Sequence, residues 1–380
     1  MNNVFMERAI ELARNGIGFT SPNPVVGAVI EKGGHIIAEG WHAKAGERHA
    51  EMVAIDDVMA KSGIMTMDID PTIFGNATLY VTLEPCSHKG KTPACSDAVI
   101  KAGFKKVCIG MKDPFSKVNG RGIRAIKKSG CKVEVYDAKS PVGDAVHVLN
   151  QSFIKWAKTG LPYVTLKAGM TIDGKIALGS GDSKWITDEA SRTDAKEHRS
   201  ICDAVLVGAN TIKMDDPVLG VSKKYEGKRF LKVIIDDKLS CPLDRKIFED
   251  DSVFVACTDL ASDRNKAKYK KAGIKFKSFG KDSVSVKRLL KYLGKNDVQS
   301  LFVEGGSFTH GGFFDSFLKD SSLLDNVLFY LAPSLMGGSK NIPVVGGEGV
   351  TSMKKLPTFV SHNMESVGEG YRFRGLLNRY

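Results

Sequence analysis

No run of about 18 apolar residues occurs, so nothing in the sequence reads as a membrane-spanning helix. Internal repeats and low-complexity segments are also missing, which sets aside collagenous and disordered chains. Cysteine is scarce and scattered. The seven are an odd number spread over 380 residues, and only Cys86 and Cys95 stand close together. Glu7, Arg8, Glu11 and Arg14 interrupt the opening stretch, so no secretory pattern is read there. Free thiols or metal ligands are therefore expected instead of a disulfide framework, and with them a cytoplasmic setting.

What remains is ordinary globular composition, 42% hydrophobic and 26% charged, which at roughly 150 residues per domain suggests two domains. The net charge of +12 invites a nucleic-acid partner, but its distribution argues against one. Residues 1–150 hold 19 basic and 16 acidic groups, and the excess gathers at 261–295, where 12 Lys and Arg face only Asp263 and Asp282. There the lysines interrupt apolar residues at helical and strand spacing, without interleaved aromatics for base stacking. A solvated outer face accounts for the charge, and neither a nucleic-acid nor a membrane partner is expected.

Strand and helix patterns alternate along the first part. Helices are predicted at about 4–15, 49–59 and 122–129 and from about 93, with strands at 25–31, 35–40, 78–83, 106–111 and 132–136. A connecting helix over 142–158 stops at Gly160 before Pro162. A second series of strands follows at 163–167, 204–207, 232–235, 253–256, 275–279, 300–303 and 327–331. The fold class is α/β in both halves, with the boundary placed at 147, giving domains 1–147 and 148–380.

The sharpest chemical signal is His49-Ala50-Glu51, followed by Pro85-Cys86 and then Cys95. One imidazole and two thiolates satisfy three positions of a tetrahedral zinc ion and leave the fourth to water, a catalytic arrangement. Glu51 sits where a carboxylate could move a proton between that water and a leaving amine. On a continuous helix His49 and Glu51 face different ways, so the site is expected at a helix's amino end. Cys86 precedes a helix and Cys95 begins it, and its positive end favours thiolate. Alone, each residue reads as a core histidine or a small buried thiol, and His88 keeps a closed structural site formally open. Lys91, in a Gly-Lys-Thr loop, suits a phosphate as well as it suits plain solvation.

In the second half, Val303-Glu-Gly-Gly-Ser-Phe-Thr-His-Gly-Gly312 is a glycine-rich turn between a strand and a helix, whose backbone N–H groups could cradle phosphate. It is neither Gly-x-Gly-x-x-Gly nor a Walker sequence, so by itself it also reads as a tight turn. Trp185 taken alone reads as a core aromatic.

The segments Thr20-Ser-Pro-Asn-Pro-Val-Val-Gly, Gly40-Trp-His, Gly46-Glu-Arg-His-Ala-Glu and Tyr80-Val-Thr-Leu-Glu-Pro-Cys resemble the deaminase half of the bifunctional riboflavin biosynthesis deaminase-reductases. In that family a wide Cys-x8-Cys spacing is normal. Tyr163-Val-Thr-Leu-Lys-Ala-Gly, Gly181-Asp-Ser-Lys-Trp, Met214-Asp-Asp-Pro and the glycine-rich turn are similar to its reductase half. The resemblance implies a three-layer cytidine-deaminase-like domain followed by a dihydrofolate-reductase-like domain. It implies one Zn2+ on His49, Cys86 and Cys95, with Glu51 catalytic and Asn23, His42 and Lys91 contacting a pyrimidine ribose phosphate. It further implies NADPH against Gly169, Trp185, Thr211, Asp215 and Gly306, Ser307, Phe308, Thr309, His310, Gly311 and Gly312. The sugar-phosphate substrate falls to Lys167, Ser183, Arg199, Leu219 and Glu304, with Lys167 and Glu304 both candidates for protonating the opening sugar. Self-association through the reductase half is compatible with the resemblance. Two positions depart from the family pattern: Phe115 stands where it has a substrate-contacting Asn, and Ser222 where it has a phosphate-binding Arg. Lys223 and Lys224 follow Ser222 and could substitute as point charges.

Overall fold

A computed structural model describes residues 3–63, 69–87, 94–115 and 118–380. The chain divides into two compact units, one running to Thr159 and the other from Gly160 to Arg379.

The first unit is built from α1 (Asn3–Ala13), β1 (Gly27–Lys32), β2 (His35–Trp41), α2 (Ala50–Lys61), α3 (Pro71–Phe74), β3 (Thr78–Leu83), α4 (Cys95–Ala102), β4 (Lys106–Met111), α5 (Arg121–Lys128), β5 (Lys132–Val135), α6 (Pro141–Leu149) and α7 (Gln151–Thr159). Its sheet runs β2-β1-β3-β4-β5. β1 pairs antiparallel with β2 and β3, whereas β3, β4 and β5 are parallel. The apolar runs of β3 and β4 are buried on both sides, as a sheet covered by helices requires. Met6, Ile30, Ile55, Leu79, Ile109 and Ile126 form its core. Gly40 lets α2 come close to β2, because a Cβ there would meet Ala50 O at 2.5 Å and Ala54 N at 2.7 Å.

The expected single helix over 142–158 is two, separated at Asn150. The Asn150 side chain, 2% exposed, accepts from Val25 N and donates to Val25 O, both at 2.9 Å. Ile154 on α7 belongs to the same core. These ties carry the unit to Thr159, twelve residues beyond the boundary at 147 read from the sequence.

The second unit contains β6 (Tyr163–Thr171), β7 (Lys175–Ala177), α8 (Glu189–Ser200), β8 (Ala204–Gly208), α9 (Ala209–Asp215), β9 (Leu231–Ile235), β10 (Val253–Cys257), α10 (Asp263–Lys271), β11 (Lys275–Ser278), α11 (Val286–Lys295), β12 (Ser300–Val303), α12 (Ser307–Lys319), β13 (Asn326–Ala332), β14 (Ile342–Pro343), β15 (Ser361–Val367) and β16 (Gly370–Leu376). The large sheet runs β11-β10-β9-β8-β12-β6-β13-β16-β15, parallel from β11 to β13 and antiparallel at β16 and β15. Leu166, Leu206, Val233, Leu301 and Val303 pack in one cluster with α11 and α12; Val205, Val207, Ile234 and Val255 pack in another with Ile247 and Tyr269. Two apolar layers around a parallel sheet make this unit α/β, as expected. Side-chain caps start α8, α10 and α11: Asp188 accepts from Ser191 N, Ser262 from Asn265 N, and Ser285 from Arg288 N.

Candidate active sites

His49 is the N-cap of α2, with extended backbone, and Glu51 lies in the first helical turn, 3% exposed. Both residues thus lie at the amino end of α2, where the spacing places them. Cys86 follows the end of β3, and Cys95 opens α4, where its backbone N–H donates to Cys86 Sγ at 3.4 Å. Ser96 N donates to Cys86 O at 3.0 Å, folding the chain back so that both sulfurs face His49.

The ligand atoms of His49, Cys86 and Cys95 all lie within 4.8 Å of one another. His49 Nδ1 is 3.1 Å from Cys95 Sγ and 3.8 Å from Cys86 Sγ. A tetrahedral zinc ion with ordinary Zn–N and Zn–S bonds sets that edge at about 3.5 Å, between the two distances. The donor set therefore fits zinc, and among the described residues these three form the one such cluster.

Hydrogen bonding from Cys95 and then His49 holds the Cys86 thiol below its ordinary value, while the bond to Cys86 and burial push Cys95 up. Burial raises Glu51 to about 7. His42 is lowered, chiefly by burial.

Asn23 and His42 are brought together: Asn23 Nδ2 is 3.0 Å from His42 Nε2, and the His42 and His49 rings meet edge to face at 5.3 Å. Lys91 and His88 lie outside the described residues. Phe115 stacks on Trp156 of α7, centroids 6.0 Å apart, so the departure at this position exchanges a polar group for an aromatic pair.

Glu84, 3% exposed, was missed in the sequence. Its carboxylate accepts from Asp113 N, Gly120 N and Ile123 N at 3.1, 2.9 and 3.2 Å, tying the β4–α5 loop to the chain just ahead of Pro85-Cys86. An acidic residue closing an apolar strand was the available signal.

In the second unit Glu304 follows β12 and meets Lys167 of β6 at 3.4 Å and Arg199 of α8 at 2.9 Å. Arg199 also donates to Gly220 O through Nε and Nη2, at 3.1 and 2.7 Å. Burial pushes Glu304 up, but Lys167 and Arg199 outweigh it and hold the carboxyl below its usual range. Leu219 beside this contact is buried with φ +52°. Ser222 is buried and its N–H donates to Ser200 Oγ at 2.7 Å, while Lys223 and Lys224 are exposed.

Ser183 and Trp185 line a cavity of about 360 Å³ with Thr171, Leu178, Leu335 and Met336. Trp185 is not the core aromatic its type suggests: it is 72% exposed, with the Arg192 guanidinium 4.4 Å from the ring centre. Gly169 lies against Thr187, where a Cβ would meet Cγ2 at 3.0 Å. Thr211 and Asp215 lie on α9, Asp215 as its last residue. Gly306 is the N-cap of α12, and no side chain caps the helix. Of the turn residues, Phe308 is 82% exposed while Thr309, His310 and Gly311 are buried.

Fold and sites together define an enzyme of two catalytic domains, a zinc-binding deaminase followed by a reductase. The family described as "Cytidine and deoxycytidylate deaminase zinc-binding region" matches residues 1–111, and the "RibD C-terminal domain" matches 162–373. The "Riboflavin biosynthesis protein RibD" of Bacillus amyloliquefaciens is 39% identical, covering 97% of this chain and 94% of its own. That of Escherichia coli K12 is 32% identical, covering 96% of each. A solved structure of Acinetobacter baumannii RibD is 32% identical with a TM-score of 0.84, covering 99% of both chains. The Thermotoga maritima "diaminohydroxyphosphoribosylaminopyrimidine deaminase/5-amino-6-(5-phosphoribosylamino)uracil reductase" is 34% identical with a TM-score of 0.82, covering 99% and 98%. The chain belongs to the RibD family of bifunctional riboflavin biosynthesis enzymes. No helix among the described residues is long and apolar enough to cross a membrane.

Proposed function

We propose that the N-terminal unit releases the 2-amino group of 2,5-diamino-6-ribosylamino-4(3H)-pyrimidinone 5′-phosphate as ammonia. The C-terminal unit then reduces the ribosyl group of the product, 5-amino-6-(5-phosphoribosylamino)uracil, to ribityl. The observation that carries the reading is the His49, Cys86 and Cys95 donor set beside a buried Glu51 at one helix start.

Zinc bound to these three side chains supplies the Lewis acidity that makes hydroxide available near neutral pH. Glu51 accepts the proton of the attacking water and returns it to the departing amine, so that a C–N bond breaks and a carbonyl forms. A carboxyl raised to about 7 by burial is suited to both transfers. Asn23 and Lys91 serve the pyrimidine and its phosphate.

NADPH supplies the hydride in the second unit, held by Gly169, Trp185, Thr211, Asp215 and the turn from Gly306 to Gly312. Ser183, Arg199, Leu219 and Glu304 serve the sugar phosphate. As hydride reaches C1′, the bond to the ring oxygen breaks and that oxygen needs a proton. Glu304 is held ionised by its two cations, which leaves the Lys167 ammonium as the donor and Glu304 as the group that orients it. Following ammonia release and NADPH consumption separately, with the diaminopyrimidine phosphate as substrate, tests both assignments. Ammonia release without NADPH consumption would refute the second.

A further inference from the structure

Helix α8 carries Arg199, yet its sequence offers little to pack with. Its one buried apolar side chain is Ala195, which joins Phe302, Leu328 and Tyr330 in the smallest apolar cluster of the unit. Apolar contact is non-directional, so a single alanine fixes neither the rotation nor the slide of a helix on a sheet. The remaining ties are polar. They fall in one stripe at helical spacing, through Asp188, Asp194 and His198.

The stripe begins at the turn between β15 and β16. Asp188 caps its own helix and also accepts from Glu369 N at 2.5 Å. Gly368 turns the chain there with φ +57°, and a Cβ on it would meet Asp188 Oδ2 at 2.0 Å. Asp194 is the centre of the stripe. Its carboxylate accepts from Tyr330 OH of β13 at 2.7 Å and from Arg372 Nη1 of β16 at 2.8 and 2.9 Å. The same Arg372 nitrogen lies 3.1 Å from His198 Nε2, one turn further along α8, and its other arm pairs with Glu365 of β15. Hydrogen bonds have direction, so this seam specifies how α8 is turned on the sheet. Arg199 follows His198 directly and stands one turn beyond Ala195. Its reach to Glu304 at 2.9 Å and to Gly220 O at 2.7 Å depends on that turn.

We propose that Asp194 is a positioning residue: by bridging Tyr330 and Arg372 it fixes the rotation of α8 and so holds the Arg199 guanidinium on Glu304, in the pose that meets the sugar phosphate. The proposal rests on the reductase reading above. It makes the β15–β16 hairpin part of what sets the reductase site, beyond closing one edge of the sheet. Asp194 and Arg372 are both partly exposed, so water replaces the bonds when one partner is removed, and folding loses less than geometry does.

A double-mutant cycle in the full chain tests this, reading NADPH consumption with 5-amino-6-(5-phosphoribosylamino)uracil as substrate. Asp194→Ala raises the KM for that substrate about tenfold, while the KM for NADPH stays within about twofold and ammonia release by the first unit is unchanged. Added to Arg199→Ala, it leaves the substrate KM within about twofold of Arg199→Ala alone, because Asp194 acts through Arg199. Arg372→Met reproduces the Asp194→Ala loss, as a member of the same seam. An additive loss in the double variant, or a rise of both KM values together, means that Asp194 does not act through Arg199, and overturns the proposal. If Asp194→Ala fails to fold, Asp194→Asn decides, since it keeps an acceptor for Tyr330 and removes the charge facing Arg372. A substrate KM raised severalfold with the NADPH KM kept supports the proposal, and an unchanged substrate KM overturns it. A wild-type chain that consumes no NADPH with this substrate sinks the reductase reading itself, whereas additivity in an active chain sinks this inference alone.

Discussion

Glu51 and Glu304 are both acids removed from water, yet their surroundings give them opposite characters. Burial without a bonded cation raises Glu51 to about 7, so it can hold or release a proton near neutrality. Lys167 and Arg199 keep Glu304 ionised despite its burial. Glu51→Gln keeps the shape and removes the proton carrier; ammonia release falls about a thousandfold with zinc unchanged, checked by metal analysis beside the assay. Retained deamination in that variant contradicts the role. At the second departure from the family pattern, Ser222 is buried, and the exposed Lys223 and Lys224 are the charges available to a phosphate. Changing both to Ala raises the reductase KM about tenfold; an unchanged KM dismisses the compensation. The metal set was legible because its three ligands fall in short motifs of distinctive spacing. The threefold task of Glu84 was not, because it depends on backbone N–H groups that no side-chain pattern reveals.

At the scale of elements, the break between α6 and α7 ties down the chain ahead of β1. Asn150 lies 125 positions from Val25 and bonds both its N–H and its carbonyl, fixing the chain between Asn23 and β1. Asn150→Ala removes two partly buried hydrogen bonds and leaves the Val25 backbone groups unpaired, costing about 2 kcal/mol. A lowered urea midpoint at constant slope, together with a higher deaminase KM, is the expected result. Such a clasp is invisible in periodicity, which is why 142–158 read as one helix. The buried strands β3, β8, β10 and β12 were legible as apolar runs. β15 and β16 were not, for a physical reason. β15 is exposed along almost its whole length, and its residues Ser361-His-Asn-Met-Glu-Ser-Val carry no apolar alternation. Helix α4 begins at Cys95 with Ala94 as its N-cap, whereas the start expected at about 93 lies outside the described residues. For α8 and β12, the pair Arg199–Glu304 also sets an acid limit. A carboxyl lowered in the folded state contributes stability above its unfolded pKa of about 4.3, and this is lost as pH falls through the lower folded value. Glu304→Gln therefore flattens the acid limb of an unfolding-against-pH curve; an unaltered limb contradicts the pairing.

For the whole molecule, the two units divide the chemistry as they divide the chain. The chain carries 55 basic residues against 43 acidic ones, and on the outer faces of α10 and α11 Lys268, Lys270 and Lys291 are exposed. Fold class was legible throughout, because alternating strands and helices leave few ways to layer a parallel sheet. The division at Thr159 was not, because it depends on where α7 buries Phe153 and Ile154. The proposed deamination depends on zinc held by His49, Cys86 and Cys95, and zinc per chain and ammonia release measured together in the wild-type protein and in Cys86→Ser decide it. About one zinc and steady ammonia release are expected in the first, and loss of both in the second. Undiminished ammonia release from Cys86→Ser, or from wild-type protein that binds no zinc, contradicts it.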